Sequence, residues 1–325
     1  MDVGRRRARA DPSGIVSDRI RAAESILRAA SGDRVRTAFA MAPLTTFRIG
    51  GPAAIYLEPE SERDLVAVGE AVRQTGVSCV VIGKGSNLLV SDRGFPGIVL
   101  RLGRGLRWAA RDGDVVSAGA AMPLPALAGV ALSNSLSGLE FGVAIPASLG
   151  GAVRMNAGAH GHELAEVVRA VDVFELDAGA ARTISAADAR FAYRSSAIPA
   201  DSVVIATSVA LVAAEPSAIR DRMHEAREWR RRTQPLAEPN CGSVFKNPQG
   251  DHAARLIEAA GGKGLAVGGA SVSAKHANFI VAAEGARAAD VVELVRTLQD
   301  LVAARFDIRL EPEVHLVGDF DLAPH

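Results

Sequence analysis

The chain has 325 residues, which is long enough for two domains, or three small ones, with separate hydrophobic cores. Hydrophobic residues make up 48% and charged residues 23%, which excludes a disordered chain, and the 37 basic and 37 acidic residues leave a formal net charge of zero. This balance excludes a global positive field that would draw the protein to nucleic acid or to anionic membranes, so any anionic ligand must be bound locally.

The first predicted elements form a β-α-β arrangement after an arginine-rich tail over residues 1–11. The pattern predicts an amphipathic helix over 17–30, a strand over 53–58, a helix capped by Ser61 and running to 75, and a strand over 79–82. The folded core is expected to begin near residue 45. The tail lacks the apolar region of a signal peptide, and no apolar stretch reaches membrane-spanning length.

The later elements continue in a mixed order that predicts an α+β fold. The pattern predicts strands over 97–102 and 115–118, a helix over 124–132, strands over 171–176 and 203–212, helices over 217–232 and 253–260, a strand over 278–281, a helix around 291–302 and a strand over 308–316. A boundary is expected where the strongly β run gives way to a charged helix. We therefore divide the chain into a tail with a short helix (1–36), a first domain (37–214) and a second domain (215–325).

The cysteines and histidines argue against a disulfide framework and against a metal site. Cys79 lies in an apolar run and Cys241 in a turn, without the spacing of metal ligands, and the seven histidines are scattered. We expect reduced cysteines, no bound metal and a cytoplasmic protein.

Two glycine-rich segments are candidates for cofactor binding. Residues 83–87, Gly-Lys-Gly-Ser-Asn, follow a predicted strand, and their glycines would let backbone N–H groups approach a diphosphate. They match neither a dinucleotide fingerprint nor a P-loop, and a hairpin turn is about as good an interpretation. Residues 145–159 combine small and apolar residues that would suit a flat cofactor, although a close helix or loop crossing explains them too.

Three further segments carry polar residues that could serve a reaction. Arg194 lies in a predicted helix-to-loop passage, where an arginine is usually a solvated charge. Residues 239–248, which include Ser243, fit the polar edge of a ligand cleft better than a plain surface strand. The terminal strand holds Glu311 and Glu313, and alternation would turn one of them inward. A buried Glu313 must be paired with an arginine or hold a raised pKa, whereas on an edge strand both acids would be solvated.

Taken in order, these segments closely resemble the UDP-N-acetylenolpyruvoylglucosamine reductases, the MurB family. The matching segments are residues 45–53, 83–87, 145–159, 193–194, 233–235, 242–248, 275–281 and 310–314. Each segment is weak alone, but their shared order is very specific.

The resemblance implies an α+β chain in which an FAD-binding domain of the vanillyl-alcohol oxidase type (PCMH-type), built from two subdomains, precedes an α+β substrate-binding domain. NADPH would reduce FAD, and flavin N5 would pass hydride to the enolpyruvyl group of UDP-N-acetylglucosamine enolpyruvate, a step of peptidoglycan precursor synthesis. The diphosphate would rest on residues 83–87 and the isoalloxazine ring near 145–159. The implied FAD-binding residues are Arg48, Gly83, Lys84, Gly85, Ser86, Asn87, Leu88, Ile145, Pro146, Ser148, Gly150, Gly151, Asn156, Gly158 and Ala159.

The resemblance also implies a catalytic trio. Hydride addition leaves negative charge beside the substrate carboxylate, which Arg194 and a protonated Glu313 would stabilise, and Ser243 would donate the final proton. The implied substrate-binding residues are Tyr193, Gln234, Lys246, Asn247, His276 and Asn278. No tyrosine lies between Arg194 and Ser243, so the chain resembles the branch of the family without the tyrosine-bearing substrate loop.

The chain departs from the family pattern at Ala147, Cys241 and His160, where glycine, alanine and tyrosine are common. If residue 147 needs a positive φ, alanine there would cost roughly 1 kcal/mol. Two rivals stay open: an oxidase of the same fold, for which His160 is the candidate for a covalent flavin link, and a non-catalytic sugar-nucleotide-binding protein. The oxidase has no reason to carry the trio, and the binding protein should have lost part of it. We expect a small-molecule substrate, no nucleic-acid partner and no membrane insertion, and the sequence leaves the oligomeric state open while favouring a monomer.

Overall fold

The computed structural model describes residues 12–320, with side chains from residue 17 onward, and the predicted tail over residues 1–11 lies outside the described residues. The helices are α1 (Pro12–Ser31), α2 (Glu62–Thr75), α3 (Leu124–Ser133), α4 (Leu149–Arg154), α5 (Pro216–Thr233), α6 (Ala253–Ala259) and α7 (Ala288–Phe306). Within the described range, no helix is long and apolar enough to cross a membrane.

The strands are short and spread over the whole described chain. They are β1 (Arg36–Ala40), β2 (Pro52–Leu57), β3 (Cys79–Val81), β4 (Leu88–Val90), β5 (Phe95–Leu100), β6 (Ala109–Asp112), β7 (Val115–Gly119), β8 (Leu136–Ser137), β9 (Gly158–Ala159), β10 (His162–Glu163), β11 (Val168–Glu175), β12 (Ala180–Ser185), β13 (Ser202–Ala210), β14 (Val212–Ala213), β15 (Ala266–Val267), β16 (Ala270–Val272), β17 (Ile280–Ala282) and β18 (His315–Val317). This mixture of helices and strands confirms the predicted α+β content.

The first subdomain combines one sheet with helices α1 and α2. Its strand order is β1-β2-β5-β3, with β2, β5 and β3 parallel. Helix α2 begins with a capping box of Ser61 and Asp64 and ends at Gly76, whose positive φ suits a C-terminal cap. Ala23 and Leu27 of α1 are fully buried in the core of this subdomain. Strand β1 was not predicted, because the core was expected to begin after it.

Asp64 links helix α2 to the segment that precedes β1, and Asp64→Asn should destabilise the fold in a pH-dependent way. Burial alone would raise the pKa of Asp64, but hydrogen bonds from Arg34 and the backbone N–H of Glu60 outweigh it and lower the pKa to about 2. The stabilisation is therefore present above the unfolded pKa of about 3.9 and is lost as the pH falls through the folded value. Because the Arg34 side chain is 42% exposed, screening limits the expected loss at pH 7 to about 1–2 kcal/mol.

Urea unfolding between pH 2 and 7 measures this effect. The matched control is Glu62→Gln, an exposed acid in the first turn of the same helix. An Asp64→Asn penalty that is the same at pH 2 as at pH 7 would contradict the assignment.

The second subdomain is an antiparallel sheet of order β12-β11-β13-β7-β6, and α3, α4 and α5 share its apolar core. Helix α5 contributes Ile219, Met223 and Ala226 to that core. Nη2 of Arg222 lies 2.7 Å from Oε1 of Glu140, which fastens α5 to the turn after β8. The boundary predicted between residues 214 and 215 stays a prediction, and this packing favours a boundary after α5.

The C-terminal unit packs helices α6 and α7 with the antiparallel strands β15, β16 and β17. Helix α7 buries Val291, Leu294, Leu298 and Val302, as the helical spacing predicted. Strand β18 then returns to the first subdomain and pairs in parallel with β4, which directly follows residues 83–87. This return brings the residues just before β18 to the candidate cofactor loop.

Two local predictions were wrong. The strand predicted over 308–316 is reduced to β18, because Pro312 lacks an N–H group and forms only an isolated bridge with Phe245. The helix predicted before Arg194 is absent, and turns follow β12 instead. Ser185 and Asp188 hydrogen-bond to each other there, in a pattern that competes with helix formation.

Candidate active site

The loop over residues 83–87 is fixed by contacts that require glycine. Gly85 has a φ of +65°, and a Cβ at this position would lie 2.1 Å from the carbonyl oxygen of Leu44. The backbone N–H and the hydroxyl of Thr46 donate to the carbonyl of Gly85 over 3.1 and 3.2 Å. A Cβ on Gly83 would lie 2.3 Å from Oγ of Ser148. The two glycine-rich segments therefore meet at this point.

A cleft of about 280 Å³ opens where the segments meet. The predicted cofactor-binding residues in its lining are Gly83, Lys84, Ser148, Gly150 and Gly151. Ile82, Ala120 and Val204 give it an apolar wall, which fits a flat ring, while exposed glycine backbone and cations fit phosphate. These residues suit FAD. The predicted residues outside this lining, which stay predictions, are Arg48, Gly85, Ser86, Asn87, Leu88, Ile145, Pro146, Asn156, Gly158 and Ala159.

The structure shows the surroundings of the three residues that depart from the family pattern. Ala147 is not among the described non-glycine residues with positive φ, so the expected penalty does not arise. Cys241 is buried, which raises the pKa of its thiol and makes it a small apolar group at neutral pH. The His160 ring lies edge-on to Trp229, with ring centroids 5.0 Å apart.

Arg194 and Glu313 form an ion pair between the second subdomain and the returning C-terminal segment. Nε of Arg194 lies 3.0 Å from Oε1 of Glu313, and the two side chains are only 21% and 15% exposed. Arg194 has a φ of +55° and donates from Nη2 to the carbonyl of Gly158 over 3.1 Å. Positive φ is costly for arginine, and such strain is concentrated at functional sites. The pair confirms that Glu313 points inward.

The environment of Glu313 makes its carboxyl easier to protonate than that of an exposed glutamate. Burial raises the pKa of this carboxyl above its ordinary value, although Arg194 and Lys246 act in the opposite direction. Its backbone is fixed, because its N–H donates to the carbonyl of Val244 over 2.7 Å and Nδ2 of Asn87 donates to its carbonyl over 3.0 Å. A protonated carboxyl beside a guanidinium can donate a hydrogen bond to developing negative charge.

Ser243 lies next to Val244 and is therefore beside Glu313. The buried amide of Asn278 holds this segment, since its Nδ2 donates to the carbonyl of Phe245 over 2.8 Å and its Oδ1 accepts from the N–H of Phe245 over 3.0 Å. Ser243 itself is partly exposed. The fold thus brings the backbone of Ser243 close to the backbone of Glu313 from a distant part of the sequence.

Three of the predicted substrate-binding residues lie around this trio. The Tyr193 hydroxyl accepts a long hydrogen bond of 3.4 Å from the backbone N–H of Asn247, and the Tyr193 side chain is 47% exposed. Nζ of Lys246 lies 2.6 Å from Oε1 of Glu311. The Tyr193 ring is accessible to a polar ligand, whereas the Lys246 ammonium group is paired with Glu311 and Oδ1 of Asn247 accepts from the N–H of Ala253 over 3.0 Å.

The side chains of the other three predicted substrate-binding residues also form hydrogen bonds within the chain. Oε1 of Gln234 accepts a hydrogen bond from Nε of Arg230 over 3.0 Å. Nδ1 of His276 accepts the N–H of Asn278 over 3.2 Å, and burial lowers the pKa of His276, which favours the neutral ring. Because Asn278 uses its amide on Phe245, we expect it to position Ser243, and a direct substrate contact stays a prediction.

Asn156, predicted to bind the cofactor, holds the turn that carries Arg194. It is fully buried, its Nδ2 donates to the carbonyl of Ala192 over 3.0 Å, and its Oδ1 accepts from the N–H of Ala165 over 2.9 Å. Ala192 and Ser195 exchange two backbone hydrogen bonds across the turn, each of 3.0 Å. Both ends of the amide are used by the chain, so we infer a positioning role.

Asn156→Asp keeps the acceptor and removes the donor. A carboxylate facing the Ala192 carbonyl should lower the free energy of unfolding by about 1–3 kcal/mol, the range for an unsatisfied buried polar group. Denaturant unfolding measures this, with Asn134→Asp, a partly buried asparagine after α3, as the control. An Asn156→Asp loss no larger than the control would contradict the assigned role.

Sequence reasoning missed a row of arginines along the cleft. Arg101, Arg104 and Arg107 line it together with Lys84 and Arg154. The signal was present in the spacing, since arginines recur every third residue from the end of a predicted strand onward. A scattered basic loop is usually solvated, and only the fold shows that this one borders a cleft.

Two family sequence models match the chain. The FAD binding domain model matches residues 53–185, and the model of the UDP-N-acetylenolpyruvoylglucosamine reductase C-terminal domain matches residues 234–317. Ser243 and Glu313 lie within the second match. Arg194 lies between the two.

Curated relatives and a solved structure agree with these matches. A UDP-N-acetylenolpyruvoylglucosamine reductase of Halalkalibacterium halodurans is 38% identical, covering 90% of this chain and 97% of the relative. The one from Heliobacterium modesticaldum is 44% identical, over 85% of this chain and 88% of the relative. The crystal structure of the reductase from Thermus caldophilus superposes with a TM-score of 0.76 at 38% identity, covering 87% of this chain and 99% of that one. The predicted fold class, an FAD-binding domain followed by a substrate-binding domain, is confirmed.

Proposed function

This chain belongs to the family of UDP-N-acetylenolpyruvoylglucosamine reductases, and we propose on that basis that it reduces UDP-N-acetylglucosamine enolpyruvate to UDP-N-acetylmuramate for peptidoglycan synthesis. It is an FAD-dependent oxidoreductase that uses NADPH. The single observation that carries the residue assignment is the Arg194–Glu313 pair beside Ser243.

Each member of the trio has a distinct task in the proposed reaction. When bound, FAD supplies hydride to the terminal vinyl carbon after reduction by NADPH. The guanidinium of Arg194 then stabilises the negative charge that develops beside the substrate carboxylate. Glu313 in its protonated form would donate a hydrogen bond to the same charge, and burial, which raises the pKa of this carboxyl, favours that form. The Ser243 hydroxyl gives its proton to the carbon that carries the carboxylate.

The positions of the polar residues support substrate binding at the same place. Tyr193, Lys246 and Asn247 flank the trio, so we assign them to the sugar nucleotide, and we keep Gln234 and His276 as further candidate contacts on the basis of the family resemblance. The proposal also includes a monomer in the cytoplasm. Both cysteines are free, which suits that compartment.

The two rivals fit less well. An oxidase of the same fold needs no buried arginine–glutamate pair next to a serine. A non-catalytic descendant would have no reason to keep Arg194 at a strained positive φ.

An anaerobic experiment tests the proposed function. The purified yellow protein is bleached with NADPH, and the UDP-enolpyruvyl sugar is added. The visible absorbance of the flavin, which is lost on reduction and returns on oxidation, is then followed. We expect rapid reoxidation and formation of UDP-N-acetylmuramate. A flavin that stays reduced, or a purified protein that is colourless and does not take up FAD, would contradict the proposal.

A further inference from the structure

A row of cations lines the cleft without acidic partners. Lys84, Arg101, Arg104 and Arg107 border it, and none of the four makes an ion pair with a carboxylate in the described part of the chain. Glu58 is the acidic residue in the lining. Its charge is shared with Arg36, whose Nη2 lies 3.7 Å from Oε1 of Glu58, and the hydroxyl of Tyr56 donates to the same oxygen over 2.5 Å. The cleft therefore carries an uncompensated positive charge, although the whole chain is neutral.

Arg154 also lines the cleft but is not part of this free charge. Its guanidinium donates to the carbonyls of Ile198, Pro199 and Ser202 over 3.2, 3.1 and 2.7 Å. These bonds hold the wall of the cleft. Arg101 also contacts the hydroxyl of Tyr56, so Lys84, Arg104 and Arg107 are the cations most available to a ligand.

The segment that carries the arginines is held rigidly in place. The N–H of Gly103 donates to the carbonyl of Pro59 over 2.8 Å, and a Cβ on Gly105 would lie 2.0 Å from the carbonyl oxygen of Glu60. Its centre is a turn of 3₁₀-helix, Arg104–Leu106, in which residues three apart lie above one another. The arginine row is therefore presented on a fixed support, which lowers the entropy cost of binding an anion.

The cations repel one another in the absence of a ligand. The pKa of Lys84 is lowered by burial and by the charges of Arg101 and Arg107. A ligand with two negative charges would remove this repulsion. The apolar wall beside the row, formed by Ile82 and Val204, suits a planar ring at a short distance from those charges.

We propose that the basic segment after β5 is part of the FAD site, with Arg104 and Arg107 joining Lys84 on the diphosphate and the apolar wall lying against adenine. The sequence had assigned the diphosphate to residues 83–87 without the arginines. The inference rests on FAD being the cofactor and is independent of the catalytic trio. Arg104 and Arg107 are exposed, so their replacement should leave the core intact.

The test compares flavins that contain or lack the diphosphate. Holoenzyme is diluted until flavin dissociates, and the Kd for added FAD and for riboflavin is measured by flavin fluorescence. For the Arg104→Gln/Arg107→Gln double variant we expect FAD to bind about tenfold or more weakly, since charge-assisted hydrogen bonds to the diphosphate are lost, while the riboflavin Kd stays within about twofold. ADP should also compete with FAD about tenfold less well in the variant.

Salt dependence and a matched control complete the test. FAD affinity of the unsubstituted protein should fall with KCl more steeply than that of the double variant, because fewer charge contacts remain to be screened. Arg111→Gln, on β6 and hydrogen-bonded to Gly113 outside the cleft, should behave as unsubstituted protein. An unchanged FAD Kd in the double variant, or an equal loss for FAD and riboflavin, would overturn the inference. Because binding is measured without turnover, these outcomes do not depend on which substrate is reduced.

Discussion

Ser243→Ala is expected to slow oxidation of the reduced enzyme by the enolpyruvyl sugar by about 10²–10⁴-fold, the range for loss of a positioned proton donor. Reduction by NADPH should keep its rate, because that half-reaction requires no proton at the substrate carbon. Stopped-flow absorbance of the flavin measures the two half-reactions separately. The split follows from the position of Ser243 beside Val244, whose carbonyl holds the backbone of Glu313.

Ser271→Ala, on β16, is the matched control and should leave both rates unchanged. If Ser243→Ala slows both half-reactions equally, the residue shapes the site or binds flavin instead. If neither half-reaction changes, another group donates the proton.

Glu313→Ala should lower the rate of the second half-reaction by about 10²–10³-fold, as expected when one donor to developing negative charge is removed. Glu313→Gln should lose less, because its amide remains a neutral donor. The dependence of the second half-reaction on pH then distinguishes a role of the Glu313 proton from a purely structural role of the side chain. Burial raises the pKa of Glu313, so the protonated donor persists above the ordinary carboxyl range and is lost as the pH rises through that value.

The unsubstituted enzyme should therefore lose activity on the alkaline side of this pKa, and Glu313→Gln, which cannot ionise, should lack that limb. Glu311→Gln is the control, since Glu311 lies two residues away and its side chain is 68% exposed. The same alkaline limb in Glu313→Gln would show that another group titrates, and Glu313 would not be the donor.

The local elements were predictable because their signals are local. Helix α2 has its capping box at Ser61, and α7 repeats its apolar residues at helical spacing, so each was found within a few residues of its observed ends. The terminal strand was overestimated, because an apolar run around Pro312 looks extended whether or not it finds a partner strand.

The candidate site was predictable only through its motifs, and not through its contacts. Arg194 and Glu313 lie in segments that are distant in the sequence. They meet because the C-terminal strand β18 returns to pair with β4 of the first subdomain. Asn156 and Asn278 matched the motifs as ligand contacts, yet their side-chain amides hydrogen-bond to backbone groups. Such a use cannot be read from a residue type, since an asparagine offers the same donor and acceptor to a ligand and to a turn.

A crystal structure of the enzyme with FAD and the UDP-enolpyruvyl sugar tests the central claim most directly. We predict that the guanidinium at position 194 and the carboxyl at 313 contact the substrate carboxylate, and that the hydroxyl at 243 faces the adjacent carbon at the edge of the isoalloxazine ring. Side chains that point to separate regions, away from the flavin, would contradict the account.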